Sequence, residues 1–332
     1  MPLPSSNCLI AALATPVTGD FRPDVPRLAA RARMLLDQGC DGITLFGTTG
    51  EGPEFSVEDR IAALAGLISA GIEPARLIVS VSALAMADVV TLSAHATAAG
   101  VDGVLLMPPC VYRSGMNDDG TFRYYSTILE QLSNPRLRLY LYHFPDISGV
   151  PINPQVVRRL DERYSGLITG IKDSGGDVGF TQDLVRRFSH LSVFTGTEIH
   201  LPEVLASGAR GTICGLANLM PRLLRAMVDA PTAFDGRAML PYILAGDMIL
   251  SRASFIPSIK AVVAEVLSDP DWRRVVPPMT EVSTVERQRM VSDFLRWDAG
   301  LPQPWQSIAS PAVSQENIVR LRRSSRAQVK SA

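Results

Sequence analysis

No uninterrupted apolar stretch in this 332-residue chain approaches the roughly 18 residues needed to span a bilayer, so no transmembrane helix is expected. Net charge is almost absent. Thirty-two Lys and Arg against 33 Asp and Glu leave −1 at pH 7, with no global attraction to nucleic acid or to an anionic membrane. Cysteine is scarce, and Cys8, Cys40, Cys110 and Cys214 form no C-x-x-C pair. Four scattered thiols in a long chain make no disulfide framework and read as small buried residues in a reducing compartment. The four histidines, His95, His143, His190 and His200, show no H-E-x-x-H spacing, so no metal site is expected. Residues 1–15 are mildly apolar but lack a basic leading segment. No signal peptide is expected, and the expected location is the cytoplasm.

The composition is 46% hydrophobic and 20% charged, which suits a soluble protein with a large core. Eight short, nearly continuous apolar runs read as strands: 9–13, 42–46, 77–81, 103–107, 138–143, 167–172, 192–196 and 211–215. Continuous apolar runs are what parallel strands covered on both faces require. Helical periodicity fills the gaps, as in Val25, Leu28, Ala32 and Leu35, in Val57, Ile61, Leu64 and Ile68, and in Phe122, Tyr125, Ile128 and Leu132. Ser56 with Asp59 three residues on forms a capping-box pattern. The turns Gly39-Cys40-Asp41-Gly42, Gly100-Val101-Asp102-Gly103 and Gly208-Ala209-Arg210-Gly211 echo one another between helix and strand. Eight β–α alternations favour a closed (β/α)₈ (TIM) barrel over an open doubly wound sheet.

After about residue 218 the strand pattern stops, and helical patterns follow at 218–229, 233–249, 252–267 and 282–297. The expected organisation is a barrel over 1–230, a C-terminal helical region over 231–300 and a polar tail over 301–332. The tail arginines lack interleaved aromatics, so they read as solvated, without a nucleic-acid partner.

In barrels of this kind, functional groups sit at the C-terminal ends of the strands. Strand two ends in Gly47-Thr48-Thr49-Gly50-Glu51-Gly52. Such a turn offers backbone N–H and hydroxyl donors to a carboxylate; taken alone it is equally a tight turn. It is not a Walker loop, because no Lys-Ser or Lys-Thr follows. Strand five ends in Tyr142-His143-Phe144-Pro145. An ordinary phenol titrates near about 10, so Tyr142 needs a local relay to move protons. Strand six ends in Gly170-Ile171-Lys172-Asp173-Ser174, and this is the sharpest anomaly. Lysine is rarely buried, yet Lys172 ends an apolar strand. Burial disfavours an ammonium ion and so favours the free, nucleophilic amine. Position alone fits equally a lysine that snorkels to solvent. The three features converge at one end of a barrel and together suit a 2-oxo acid. Its carboxylate would be held by the turn, its ketone captured by Lys172 as an imine, and its protons moved by Tyr142.

With those motifs in order and spacing, the chain resembles the dihydrodipicolinate synthase and N-acetylneuraminate lyase family over roughly residues 6–297. The resemblance implies a Schiff-base-forming lyase that needs no metal and no cofactor beyond the covalent imine on Lys172. It implies that Thr48 and Thr49, with Gly47 in their turn, contact the pyruvate carboxylate, and that Lys172, Tyr142 and Thr48 are catalytic. Ser174 matches a substrate-contacting hydroxyl, Gly196 and Glu198 the loop lining the substrate end, and Ile213 a position packed near bound pyruvate. A second family tyrosine crosses a subunit contact; Tyr112 is the candidate here, with Val111 one residue away. A homotetramer or homodimer is implied with it. Where dihydrodipicolinate synthases carry an arginine for a second substrate carboxylate, this chain has Ile147, which cannot donate a bidentate hydrogen bond.

The expected activity is therefore aldol cleavage or dehydration of a 2-keto-3-deoxy sugar acid or neuraminate-like substrate. Condensation of pyruvate with aspartate semialdehyde is the alternative. A non-catalytic 2-oxo-acid-binding protein is a second alternative, against which Tyr142 and Lys172 together speak. The partner is a small molecule, with no nucleic acid and no membrane.

Overall fold

The computed structural model describes residues 3–111 and 113–307. Eight strands, β1 (Cys8–Ala12), β2 (Gly42–Leu45), β3 (Leu77–Ser80), β4 (Gly103–Leu106), β5 (Leu139–His143), β6 (Ile168–Asp173), β7 (Ser192–Thr195) and β8 (Gly211–Cys214), close into a barrel in sequence order. Every pairing is parallel, and β1 meets β8 with Ile10 opposite Ile213. The crossovers are helical: α1 (Val25–Asp37), α2 (Val57–Ser69), α3 (Met86–Ala98), α4 (Asp118–Leu132), the short α5 (Pro145–Ser148) followed by α6 (Pro154–Arg163), α7 (Val178–Arg187), α8 (Leu201–Ala206) and α9 (Pro221–Val228). This is the expected TIM barrel. Beyond it lie α10 (Ala233–Arg237), α11 (Leu240–Leu250), α12 (Phe255–Val266) and α13 (Thr284–Ala299). No single helix among the described residues is long and apolar enough to cross a membrane.

Two-residue alternation divides each strand between two cores. Leu9, Ala11, Ile43, Leu45, Leu139, Leu141 and Ile171 join the layer under the helices, where α1 contributes Leu28, Ala32 and Leu35. Cys8, Ile10, Ala12, Ile78, Leu105, Tyr140, Tyr142, Phe194 and Ile213 form a second cluster inside the barrel. The apolar runs look continuous in the sequence because both faces are buried.

Local chemistry departs from the sequence pattern in two places. Ser56 caps α2 by accepting the Asp59 N–H at 3.1 Å, as expected. The Asp59 carboxylate does not complete the box; it pairs with Arg22 at 2.7 Å. The pattern at 233–249 splits into α10 and α11, because Pro241 supplies no N–H and its ring collides with the carbonyl four residues back. Residues 301–307 pack against the helices. The Ser307 N–H donates to Asp298 at 3.0 Å, and the Trp305 ring meets Tyr242 edge-on at 5.6 Å.

Closure depends on a side chain that the periodicity did not single out. Asn218, fully buried after β8, donates through Nδ2 to the carbonyls of Ala12 and Gly215, both at 2.8 Å. Its Oδ1 accepts the Ala14 N–H at 3.1 Å, so one amide joins the first strand to the last. Asn218→Ala leaves the Ala12 carbonyl and the Ala14 N–H without this partner, at about 1–3 kcal/mol each, while the Gly215 carbonyl keeps the Asn218 N–H at 3.0 Å. Urea denaturation is expected to show a loss of about 3 kcal/mol or more; a loss under about 0.5 kcal/mol would show that closure does not depend on this amide.

Candidate active site

The parallel register places Tyr142 of β5 directly opposite Lys172 of β6. Both lie on inward-facing positions and both are buried. The Lys172 Nζ donates to the Tyr142 hydroxyl at 3.1 Å and lies 4.2 Å from the centre of its ring. The Tyr142 hydroxyl is also 3.4 Å from Thr48 Oγ1, so nucleophile, phenol and threonine form a chain across three strands. Such a chain is the relay that an ordinary phenol lacks.

The turn after β2 spends three of its amides on itself. Gly50 and Gly52 donate to the Gly47 carbonyl at 3.0 and 3.2 Å, and Glu51 donates to Thr48 at 3.1 Å. The Thr48 and Thr49 amides make no hydrogen bond among the described residues, and both side chains line the cavity over Lys172. Gly47 is buried in the turn and does not line that cavity.

The cavity encloses about 510 Å³ at the C-terminal mouth of the barrel. Ser174, Gly196, Glu198 and Ile213 line it alongside Thr48, Thr49, Tyr142 and Lys172. Two glycines let its lining pack close. A Cβ on Gly196 would lie 2.1 Å from Ser174 Oγ, and one on Gly215 would lie 2.6 Å from the Phe255 ring. Burial raises the Glu198 carboxyl above the usual carboxylate range, against hydrogen bonds from its own backbone, the Leu216 amide and the Cys214 thiol that pull it down. The Leu216 N–H reaches Glu198 Oε1 at 3.2 Å. Tyr112 lies outside the described residues, and Val111 is exposed in the loop after β4.

His143 follows Tyr142 and therefore points to the opposite face. Its ring stacks on Phe180 at 4.6 Å, and its Nδ1 accepts the Ile152 N–H at 3.0 Å. Burial lowers its pKa below the ordinary imidazole value, with Asp173 pulling it partly back. It is a packed neutral histidine outside the cavity.

Sequence reasoning missed the far wall and its support. Ser254, Phe255, Ile256 and Pro257 at the start of α12, and Met279 beyond it, line the mouth opposite Phe144 and Ile147. Within α12, Lys260 is completely buried and pairs with Glu51, also buried, which closes the Thr48-Thr49 turn. The second Glu51 oxygen accepts the Val276 N–H at 2.7 Å. Burial pushes Lys260 below the usual ammonium range, and the Glu51 carboxylate pulls it back up. A signal was present: Lys260 interrupts the apolar run 255–263 just as Lys172 interrupts its strand.

The sequence profile of the Dihydrodipicolinate synthetase family matches residues 5–295. An uncharacterized DapA-like lyase of Chloroflexus aurantiacus is 35% identical over 223 residues, 67% of this chain and 74% of the relative. The 4-hydroxy-tetrahydrodipicolinate synthase 1 of Streptomyces coelicolor is 32% identical, over 70% of this chain and 73% of its own. The crystal structure of dihydrodipicolinate synthase from Agrobacterium tumefaciens superposes with a TM-score of 0.81 at 31% identity, covering 88% of this chain and 99% of that one.

The buried pair tests how the turn is held. Lys260→Met strands the Glu51 carboxylate with one N–H donor, and breaking a buried pair from one side costs about 3–5 kcal/mol. Chemical denaturation is expected to show that loss, and the double variant Glu51→Gln/Lys260→Met to lose clearly less than the sum of the two single variants. Additive losses would mean that the two residues do not act as a pair.

Proposed function

The chain belongs to the dihydrodipicolinate synthetase family, and from that membership and the geometry around Lys172 we propose that this lyase works through an imine with a pyruvate-derived 2-oxo acid. The observation that carries the proposal is the buried Lys172 amine within hydrogen-bonding distance of the Tyr142 hydroxyl, beneath the unpaired Thr48 and Thr49 amides. Those amides and hydroxyls hold the substrate carboxylate. The Lys172 amine adds to the C2 carbonyl, and loss of water leaves the iminium. In aldol cleavage the C3–C4 bond breaks and its electron pair enters the C2–C3 enamine. The C4 hydroxyl gives up its proton to the Tyr142–Thr48 relay, and the aldehyde leaves. Protonation of C3 and hydrolysis of the imine release pyruvate. In dehydration a C3 proton is lost to form an enamine that still carries C4, the C4 hydroxyl takes a proton from the relay and departs as water, and hydrolysis of the conjugated iminium releases the unsaturated 2-oxo acid. The iminium is the electron sink in both, so neither route calls on a metal.

On substrate, the lining favours an uncharged far end. Ile147 stands at the mouth, and no arginine lines the cavity among the described residues. A second carboxylate there would lack its charge-assisted partner, an interaction worth about 1.5–3 kcal/mol. That weighs against aspartate semialdehyde, although relatives above 30% identity are named as synthases of that pathway step. The Ser174 and Thr197 hydroxyls and the Glu198 carboxyl supply neutral hydrogen bonds to the C4 hydroxyl of a 2-keto-3-deoxy acid, the class that includes the sugar acids. All four cysteines are free thiols, which supports a reducing, cytoplasmic setting.

Pyruvate with borohydride is expected to label the protein at Lys172, mapped by peptide mass spectrometry, with full labelling and turnover after exhaustive chelation. Lys172→Ala should abolish the adduct, and Tyr142→Phe should slow turnover by about 10²–10⁴-fold. Labelling spread over surface lysines, or activity lost to EDTA and restored by one divalent metal, would overturn the mechanism.

We also propose a homotetramer or homodimer, supported by the family resemblance and by the exposed apolar Leu84 and Val111 in neighbouring loops. Sedimentation velocity is expected to give one of those masses; a fully active monomer would refute it.

A further inference from the structure

We propose that the aldehyde handled by this site is uncharged and apolar beyond its carbonyl carbon, so that the substrate is a 4-hydroxy-2-oxo acid with an alkyl or aryl tail. This rests on the imine chemistry proposed above and concerns the outer half of the same cavity.

The inward-facing column of each strand fixes what lies above the reacting atoms. Two residues beyond Lys172 stands Ser174, and beyond Phe194 and Ile213 stand Gly196 and Gly215, whose missing side chains let the Ser174 hydroxyl and the Phe255 ring close in beside the reacting atoms. Two residues beyond Tyr142 stands Phe144, its ring centre 5.9 Å from that of Tyr142. The rest of the wall is Phe255 beside Gly215 and Thr49, then Ile147 of α5, Ile256 and Pro257 of α12, and Met279, with the Ser254 hydroxyl at the start of that helix. Most of this wall is therefore hydrocarbon.

Charge gives the same answer. Apart from Lys172, whose nitrogen is consumed by the imine, no cationic side chain lines the cavity among the described residues. The sole lining carboxyl, Glu198, is engaged by the Leu216 N–H and kept toward its neutral form by burial. An anionic tail finds no partner, and a cationic tail finds one carboxyl, already engaged by the Leu216 N–H. A polyol tail loses water from each hydroxyl against Phe144, Ile147, Ile256 and Met279, which return no hydrogen bond. A hydrocarbon tail gains there, by about fourfold in binding per buried methylene.

The test is initial-rate condensation of pyruvate with isobutyraldehyde, benzaldehyde, D-glyceraldehyde and aspartate semialdehyde, with products identified by mass spectrometry. The same preparation is trapped with pyruvate and borohydride. The expected result is a kcat/KM at least tenfold higher for isobutyraldehyde or benzaldehyde than for either polar aldehyde. Ile147→Arg is expected to lower that ratio at least tenfold by admitting aspartate semialdehyde. Equal or better use of D-glyceraldehyde, or no condensation with either apolar aldehyde while Lys172 still forms the adduct, overturns the apolar tail and leaves the imine chemistry standing. Absence of the adduct overturns the chemistry beneath both.

Discussion

A closed parallel barrel allows each strand only one alternation, and the site follows from that constraint. Once β5 and β6 pair with Tyr142 opposite Lys172, every second residue of both strands is committed to the interior. A slip of one residue in β6 would turn Lys172 toward the helices, where it would meet Leu141 and Val193 in the outer core. It would also carry Asp173 into the mouth. The buried amine is tolerable where it is because it donates to Tyr142 and faces a cavity of about 510 Å³ at that end of the barrel.

Strands alone do not build the site. The turn carrying Thr48 and Thr49 is anchored from behind by Glu51, whose carboxylate meets Lys260 of α12 and the Val276 amide. The same helix begins with the residues that form the far wall of the cavity. Carboxylate grip and outer wall are thus fixed to each other across more than two hundred residues of sequence. A fully buried ion pair is poor evidence of net stability. Its consequence here is geometric, since neither partner can leave without stranding the other.

Chemistry and selectivity occupy different depths. The floor holds amine, phenol and threonine, together with the unpaired turn amides. The walls above combine the hydroxyls of Ser174, Thr197 and Ser254 with the hydrocarbon of Phe144, Ile147, Phe255, Ile256 and Met279. In the proposed reaction the floor makes the enamine whichever aldehyde departs, so the wall can vary without disturbing the chemistry. Ile147 marks that division: it lies in the short helix after the strand of Tyr142 and lines the mouth.

The sequence by itself determined the barrel and its floor. Strands buried on both faces read as continuous apolar runs, and each of the eight lies within one residue of its observed bounds. A lysine ending such a run is costly enough to stand out, and Tyr142 gains meaning from Lys172 because both end strands at the same rim. Tertiary structure alone decided the rest. Helical periodicity shows that α12 has a buried face but does not say what that face covers, so the lining by Phe255, Ile256 and Pro257 was illegible. Lys260 shared the anomaly of Lys172, yet its partner lies in a distant turn. His143 was settled by strand alternation and by the Ile152 amide it accepts. Local patterns record what each residue must avoid, chiefly water or an unpaired charge. Which distant group satisfies it is set only when the barrel closes and the C-terminal helices fold back over its mouth.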